Sequence, residues 1–310
     1  MVDQAGPTVK RFIVKSTQAN IALHATVVVF GFTGVLGKLI SLSAVPLVFW
    51  RTLIGASGLY LWMLIRKKAK SSVTMQNRLG IMLTGLLVAL HWVTFFAAIK
   101  ASTVSLALAV MATAPMFVAF IEPVVRRRRV DFREVLLGML AVFGLWWMYR
   151  ADVEYGHGML LALVSSFCAA LFGTLNSVWC QTTPSLSVSR IELSVACVAL
   201  GLWMVMSGQW EGAAPSGKDW VWLMVLGLVA TSLAFALTVE VMKVLSPFTV
   251  AMAINLEPVY AIVLALLVFG KEEVMPPGFY GGAAVLLLSV FLDAWLKRGS
   301  VGLATAAAES

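Results

Sequence analysis

The sequence predicts an all-α integral membrane protein: ten transmembrane helices built as two inverted five-helix repeats. Three observations carry that expectation. Of the 310 residues, 60% are hydrophobic and only 12% charged, whereas a soluble chain carries about 25% charged residues. The apolar residues come in blocks of roughly 20, the length that crosses a bilayer as a helix, and not in the alternating segments of about 10 that build a barrel. Finally, the two halves of the chain match one another at nearly constant offsets.

Taken in order, the blocks are Asn20–Ile40, Val45–Ile65, Leu79–Ile99, Ser102–Val125, Phe132–Tyr149, His157–Cys180, Val188–Ser207, Asp219–Glu240, Phe248–Phe269 and Pro277–Leu296. The basic residues orient them. With the N-terminus inside, the inner loops and ends hold Lys10, Arg11, Lys15, Arg66, Lys67, Lys68, Lys70, Arg78, Arg126 to Arg129, Arg133, Lys243, Lys297 and Arg298. The outer side holds only Lys100, Arg150, Lys218 and Lys271. The positive-inside rule then places both termini in the cytoplasm of a bacterial inner (plasma) membrane. The same distribution accounts for the net charge of +8 without nucleic acid: the Arg126–Arg129 run is a topology anchor with no base-reading aromatic context. The first 19 residues are polar and basic and read as a cytoplasmic segment, not a cleaved leader. Residues 299–310 read as a disordered cytoplasmic tail. Cys168, Cys180 and Cys197 all lie inside apolar blocks, without CxxC spacing, and imply neither a disulfide framework nor a zinc site.

Shifting the chain by 139 places Gly34 on Gly173, Leu36 on Leu175 and Arg51 on Arg190. Shifting by 143 places Lys100 on Lys243, Pro115 on Pro258, Val125 on Val268 and Gly138 on Gly281. The repeats are therefore 20–150 and 151–298. Five spans is an odd number, so the second repeat enters from the opposite side. Inverted repeats enclosing a midplane site are the architecture of alternating-access carriers.

The stretches HWVTFFAAIKASTVSLALAVMATAP (91–115) and ALTVEVMKVLSPFTVAMAINLEPVYAIVLALLVFGKEE (236–273) resemble the third-to-fourth and eighth-to-ninth helix segments of EamA-type proteins of the drug/metabolite transporter (DMT) superfamily. The resemblance runs from about Asn20 to Leu296. It departs where the first half has Arg126–Arg129 and the second has Gly270, Lys271 and Glu272. It implies a ten-helix carrier of small metabolites, often an exporter of amino acids or related compounds.

Polar residues inside the spans mark where a site would lie, because a charged side chain at the bilayer centre costs on the order of 2.5–3.5 kcal/mol by insertion scales. Glu257 stands near the middle of the ninth span with Pro258 beside it, which breaks the helix ladder. It either carries a proton or meets an ammonium group, or it braces the kink. His91 is either a proton carrier, since imidazole titrates near pH 6.5, or a histidine satisfied by a neighbouring backbone. Trp92 offers a flat face for a cationic or aromatic ligand. On the helical wheel Tyr260 shares the side of Glu257, and Asn255 faces more nearly away as interhelical glue. Asn176 and Trp179, three apart, share a face of the sixth span; His24 lies about one turn in from the cytoplasmic end of the first. These eight residues are the expected substrate-binding set, with His91 and Glu257 as proton-coupling candidates. Arg51 and Arg190 read as fold architecture, Pro115 and Pro258 as hinges, Lys38 as a snorkelling cation, and Glu122 and Glu240 as interfacial or gate residues near water.

These features point to a secondary carrier of a small metabolite such as an amino acid, amine or related compound, working as exporter or exchanger by proton-coupled alternating access. Its partners are the small-molecule substrate and the lipid bilayer, and the protein is a monomer or homodimer. No Walker A pattern occurs, so direct ATP drive is not expected. An intramembrane enzyme needs a nucleophile–base pair or metal ligands, but HExxH and GxSxG are missing. A channel needs rings of carbonyls or charges, which unlike halves supply poorly. The sequence implies no cofactor and no metal.

Overall fold

The computed structural model describes residues 16–65, 73–151, 155–285, 287–289 and 291–292, and all its regular elements are helical. The expected cytoplasmic segment up to residue 15, most of the basic loop at 66–72 and the expected tail at 299–310 lie outside the described residues. Helices α1 (Ser16–Leu39), α2 (Ala44–Ile65) and α3 (Met75–Ala101) come first. A broken pair follows, α4 (Val104–Met111) and α5 (Ala114–Arg126), and then α6 (Phe132–Ala151). The second half brings α7 (Gly156–Thr182), α8 (Ser185–Met206) and α9 (Gly217–Val225), a π-helical segment at Leu226–Leu233, and α10 (Ala234–Val241). It continues with a second broken pair, α11 (Pro247–Ile254) and α12 (Glu257–Phe269), a 3₁₀ turn at Gly270–Glu273, and a shorter apolar helix, Pro277–Ser289. Eight helical runs among the described residues are long and apolar enough to cross a membrane. Their outer faces carry Leu64, Leu83, Val124, Met206 and Leu267 in the open, which suits acyl chains and would be an aggregation hazard in water.

The fourth and ninth blocks are each two helices and not one. Thr103 and Ser246 cap the first halves, their hydroxyls accepting from Leu106 N and Thr249 N, the usual remedy for orphan N–H groups. Pro115 and Pro258 sit in the first turn of the second halves, where a missing N–H costs nothing. The breaks correspond: Val104–Met111 and Ala114–Arg126 fall on Pro247–Ile254 and Glu257–Phe269 at the offset of 143 read from the sequence. Arg127 and Gly270, which follow the second halves, correspond too, and both have positive φ, 52° and 59°. Packing has the same correspondence: α5 lies on α7 as α12 lies on α1, and α4 touches α12 as α11 touches α5.

Close backbone approach fixes the centre. A Cβ on Gly85 of α3 would sit 2.9 Å from both Cα and the carbonyl oxygen of Glu192 on α8. Backbone atoms cannot swing aside, so Gly85→Ala is expected to destabilise the protein by about 1–3 kcal/mol, the usual overpacking range. Thermal unfolding in detergent measures it, and a wild-type melting point would contradict this contact.

Candidate functional site

A cavity of about 130 Å³ lies at the breaks, walled by α1, α2, α3, α7, α10 and both broken pairs. Its surface is chiefly aromatic and aliphatic, with Thr33, Arg51, His91, Thr174, Asn176, Thr238, Asn255 and Glu257 as the polar groups. It runs from Thr33 and Glu257 toward Met242 and Pro247, at the Lys243 end of the bundle.

Four of these polar groups are held in place by identifiable contacts. Glu257 opens α12, so the positive end of that half-helix dipole lies against its carboxylate. The Arg51 guanidinium lies over the Trp92 ring at 4.0 Å and its Nε donates to Thr231 Oγ1 at 2.7 Å. Thr231 belongs to the π-helical segment, a wound-out turn of the kind found at functional sites. Arg51 and Glu257 are within electrostatic reach of one another, yet no direct ion pair joins them among the described residues. The His91 ring is held against α7: Nδ1 lies 2.8 Å from Ser165 Oγ and 3.0 Å from the Ser165 carbonyl oxygen. Asn255 Nδ2 donates to the Ala112 carbonyl at 2.8 Å, so the amide in one break satisfies the end of α4 in the other.

Of the eight residues expected to bind substrate, His91, Trp92, Asn176, Asn255 and Glu257 are brought together in this cavity wall. Three are placed elsewhere. Tyr260 is 41% exposed, with its Cβ against Gly31. The expected order of Asn255 and Tyr260 is reversed because the helix is interrupted between Ile254 and Glu257, so a continuous 100° wheel does not apply. Trp179 turns to α3, where its ring lies on Gly80 and its Nε1 donates to Thr84 Oγ1 at 3.1 Å; the slot left by a glycine outweighs the shared face. His24 is exposed on the outer surface of α1.

The gate and architecture candidates also need amendment. Arg51, read as architecture, is in the cavity wall, whereas its offset mate Arg190 lies over Tyr60 at 5.0 Å. Lys38 does not snorkel: its Nζ meets Glu273 at 3.0 Å and Glu272 at 3.3 Å, and lies 4.4 Å above the Phe269 ring. Glu122 is not at the water; it is buried and ion-paired with Arg126 and Arg128, at 3.8 and 3.3 Å. The left-handed turn at Arg127 folds Arg128 back onto it. Glu240 is partly exposed, pairing with Lys243 and accepting from the Ser185 hydroxyl.

The EamA-like transporter family matches this chain twice, over residues 17–150 and 156–293. The chain belongs to that family. EamA-like transporters form part of the DMT superfamily, and the family places this one among membrane transporters and not among enzymes. A protein of Archaeoglobus fulgidus described as an uncharacterized transporter is 24% identical over 202 residues, spanning 65% of this chain and 71% of the relative. A solved crystal structure at 14% identity superposes with a TM-score of 0.68, covering 91% of this chain and 98% of the other, and so shares the fold. Two groups near the site of this EamA-like transporter escaped the sequence reading. Arg51 was hidden by having a mate in the other half. Glu192 is wholly buried behind Asn176, whose Nδ2 lies 3.4 Å from its Oε2; nothing in the local sequence marks that depth.

Proposed function

We propose that this EamA-like transporter is a secondary carrier that moves a small zwitterion such as an amino acid by alternating access, as an exporter or exchanger. The observation that supports it is one cavity in which a cation and an acid, Arg51 and Glu257, are held apart within electrostatic reach and without a direct ion pair. A carboxylate suits the guanidinium, an ammonium group suits Glu257, and Trp92 and Phe235 flank the space. An apolar cavity of about 150 Å³ holds a benzene ring, so the volume fits one small metabolite.

The proposal extends to topology. Phe132–Ala151 and Pro277–Ser289 complete ten crossings, in two inverted repeats at 20–150 and 151–298. The matched breaks and reciprocal packing support it. The termini lie in the cytoplasm of a bacterial inner membrane, and the cavity then opens toward the cytoplasm at the Lys243 end. Oligomeric state, monomer or homodimer, is read by light scattering in detergent.

The test is a thermal-shift series with the twenty amino acids and a set of uncharged sugars on purified protein, since a ligand that binds only the folded state raises its melting temperature by mass action. The hit then goes into counterflow in proteoliposomes. An amino acid that both stabilises and exchanges supports the reading; stabilisation only by uncharged sugars would overturn the zwitterion. Protons are proposed as the coupling ion, carried by Glu257 and His91. Glu257→Gln is therefore expected to flatten the pH dependence of counterflow, and an unaltered profile would remove Glu257 from that role.

A further inference from the structure

We propose that Glu192 is a binding point for a small monovalent cation, a proton or a sodium ion, placed beside the central cavity and joined to it by Asn176. Glu192 lies on α8, and no part of it reaches solvent. Its Oε2 has a single long contact, 3.4 Å to Asn176 Nδ2, and its Oε1 has no hydrogen-bond partner among the described residues. Two more buried oxygens nearby are also unpartnered: Asn176 Oδ1, and Ser189 Oγ one turn before Glu192 on the same helix. Three orphan oxygens on two touching helices describe a place that lacks a positive charge or a proton.

The surroundings supply no counter-ion. The chargeable groups on the elements packed against α8 are Arg51 and Tyr60 on α2, Arg78, His91 and Lys100 on α3, His157, Cys168 and Cys180 on α7, and Glu240 on α10; α8 itself adds Arg190 and Cys197. None of them is bonded to or ion-paired with Glu192 among the described residues. Arg51 is engaged by Thr231, Trp92 and the Glu257 field. Arg190 lies over Tyr60; its buried Nε also has no hydrogen-bond partner among the described residues, but it stands two residues from Glu192 on α8, on a different face of the helix. The backbone of α3 closes over Glu192 at Gly85, which keeps bulk water out. A lone buried carboxylate in such a place is strongly disfavoured as an anion, so a bound cation or an added proton neutralises it.

Asn176 gives this site a consequence for the cavity, whose wall it shares. Facing the ionised carboxylate, its NH₂ is engaged as donor. When Glu192 is protonated, the carboxyl O–H is the donor; the amide turns over, accepts with Oδ1 and frees its NH₂. The proton comes from water and returns to water. That use in transport rests on the carrier reading above, but the site itself does not.

The experiment uses the full chain in detergent without substrate. In the proton arm, infrared pH titration is expected to show a protonated-carboxyl C=O band in wild type and in Glu257→Gln that is lost in Glu192→Gln. Should Glu192→Gln fail to fold, Asn176→Leu must shift that band by removing its hydrogen-bond partner. In the sodium arm, replacing choline chloride by sodium chloride at constant ionic strength is expected to raise the melting temperature of wild type but not of Glu192→Gln or Asn176→Leu. A positive result in either arm identifies the occupant. A wild-type protein with neither response, or with responses that both variants retain, overturns the proposal. No transport is measured, so a failed carrier reading would leave both arms intact, and a negative result here would leave that reading standing.

Discussion

Glu273→Ala is expected to destabilise the transporter by about 3–5 kcal/mol, the cost of removing one partner from a buried charge pair. Glu273 is fully buried in the 3₁₀ turn after α12. Its Oε1 accepts from Lys38 Nζ at 3.0 Å and Val104 N at 3.1 Å; its Oε2 accepts from Ser105 N at 3.0 Å and Ser105 Oγ at 2.9 Å. One carboxylate from the second half therefore satisfies the opening N–H groups of α4 and a lysine of α1. Alanine would leave Val104 N, Ser105 N and Ser105 Oγ buried and bare, while the partly exposed Lys38 would keep Glu272. Lys38→Met is expected to cost less, because α4 keeps its cap. Thermal unfolding measures both, and an alanine variant that melts like wild type would show that the cluster contributes nothing.

Arg51→Leu is the second large expectation: exchange of the amino acid identified by thermal shift falls by about 100-fold. A hydrogen bond to a charged group contributes about 1.5–3 kcal/mol, and every 1.4 kcal/mol is tenfold. The same change leaves the half-buried Glu257 in the cavity wall beside no cation and lowers the melting temperature. Adding Glu257→Gln is expected to restore part of the stability and none of the transport, a coupling that the double-mutant cycle isolates. Stability loss that merely adds across the two substitutions would show the residues to be independent.

Much of this fold is legible in the sequence because a bilayer imposes a simple rule: helices of about 20 apolar residues. The runs begin and end within a few residues of the blocks, and Pro115 and Pro258 mark both breaks, since proline belongs in a first turn and not in a helix interior. The offset of 143 was equally visible, from Lys100 on Lys243 to Gly138 on Gly281. What the rule does not set is the direction of a side chain. Tyr260 and Asn255 exchanged places because a break resets the helical wheel. Trp179 followed the slot above Gly80, and Glu122 followed the left-handed turn at Arg127, directly after α5. Those outcomes depend on a break, a turn or a partner outside the helix, which spacing within one helix does not encode. Arg51 teaches the converse: having a mate at the offset says that two positions are equivalent in the fold, not that they have equal roles, and only one of the pair borders the cavity.

The hydrogen bond from Asn255 to Ala112 ties together residues that are themselves 143 apart, the repeat offset. In the inverted-repeat arrangement proposed above, the midpoint of a contact between equivalent positions falls on the axis that relates the halves, so each unit contributes equally to this junction. If the proposed carrier works by rocking of its two units, a shared junction of this kind is where the pivot is expected, like the pin of a pair of scissors.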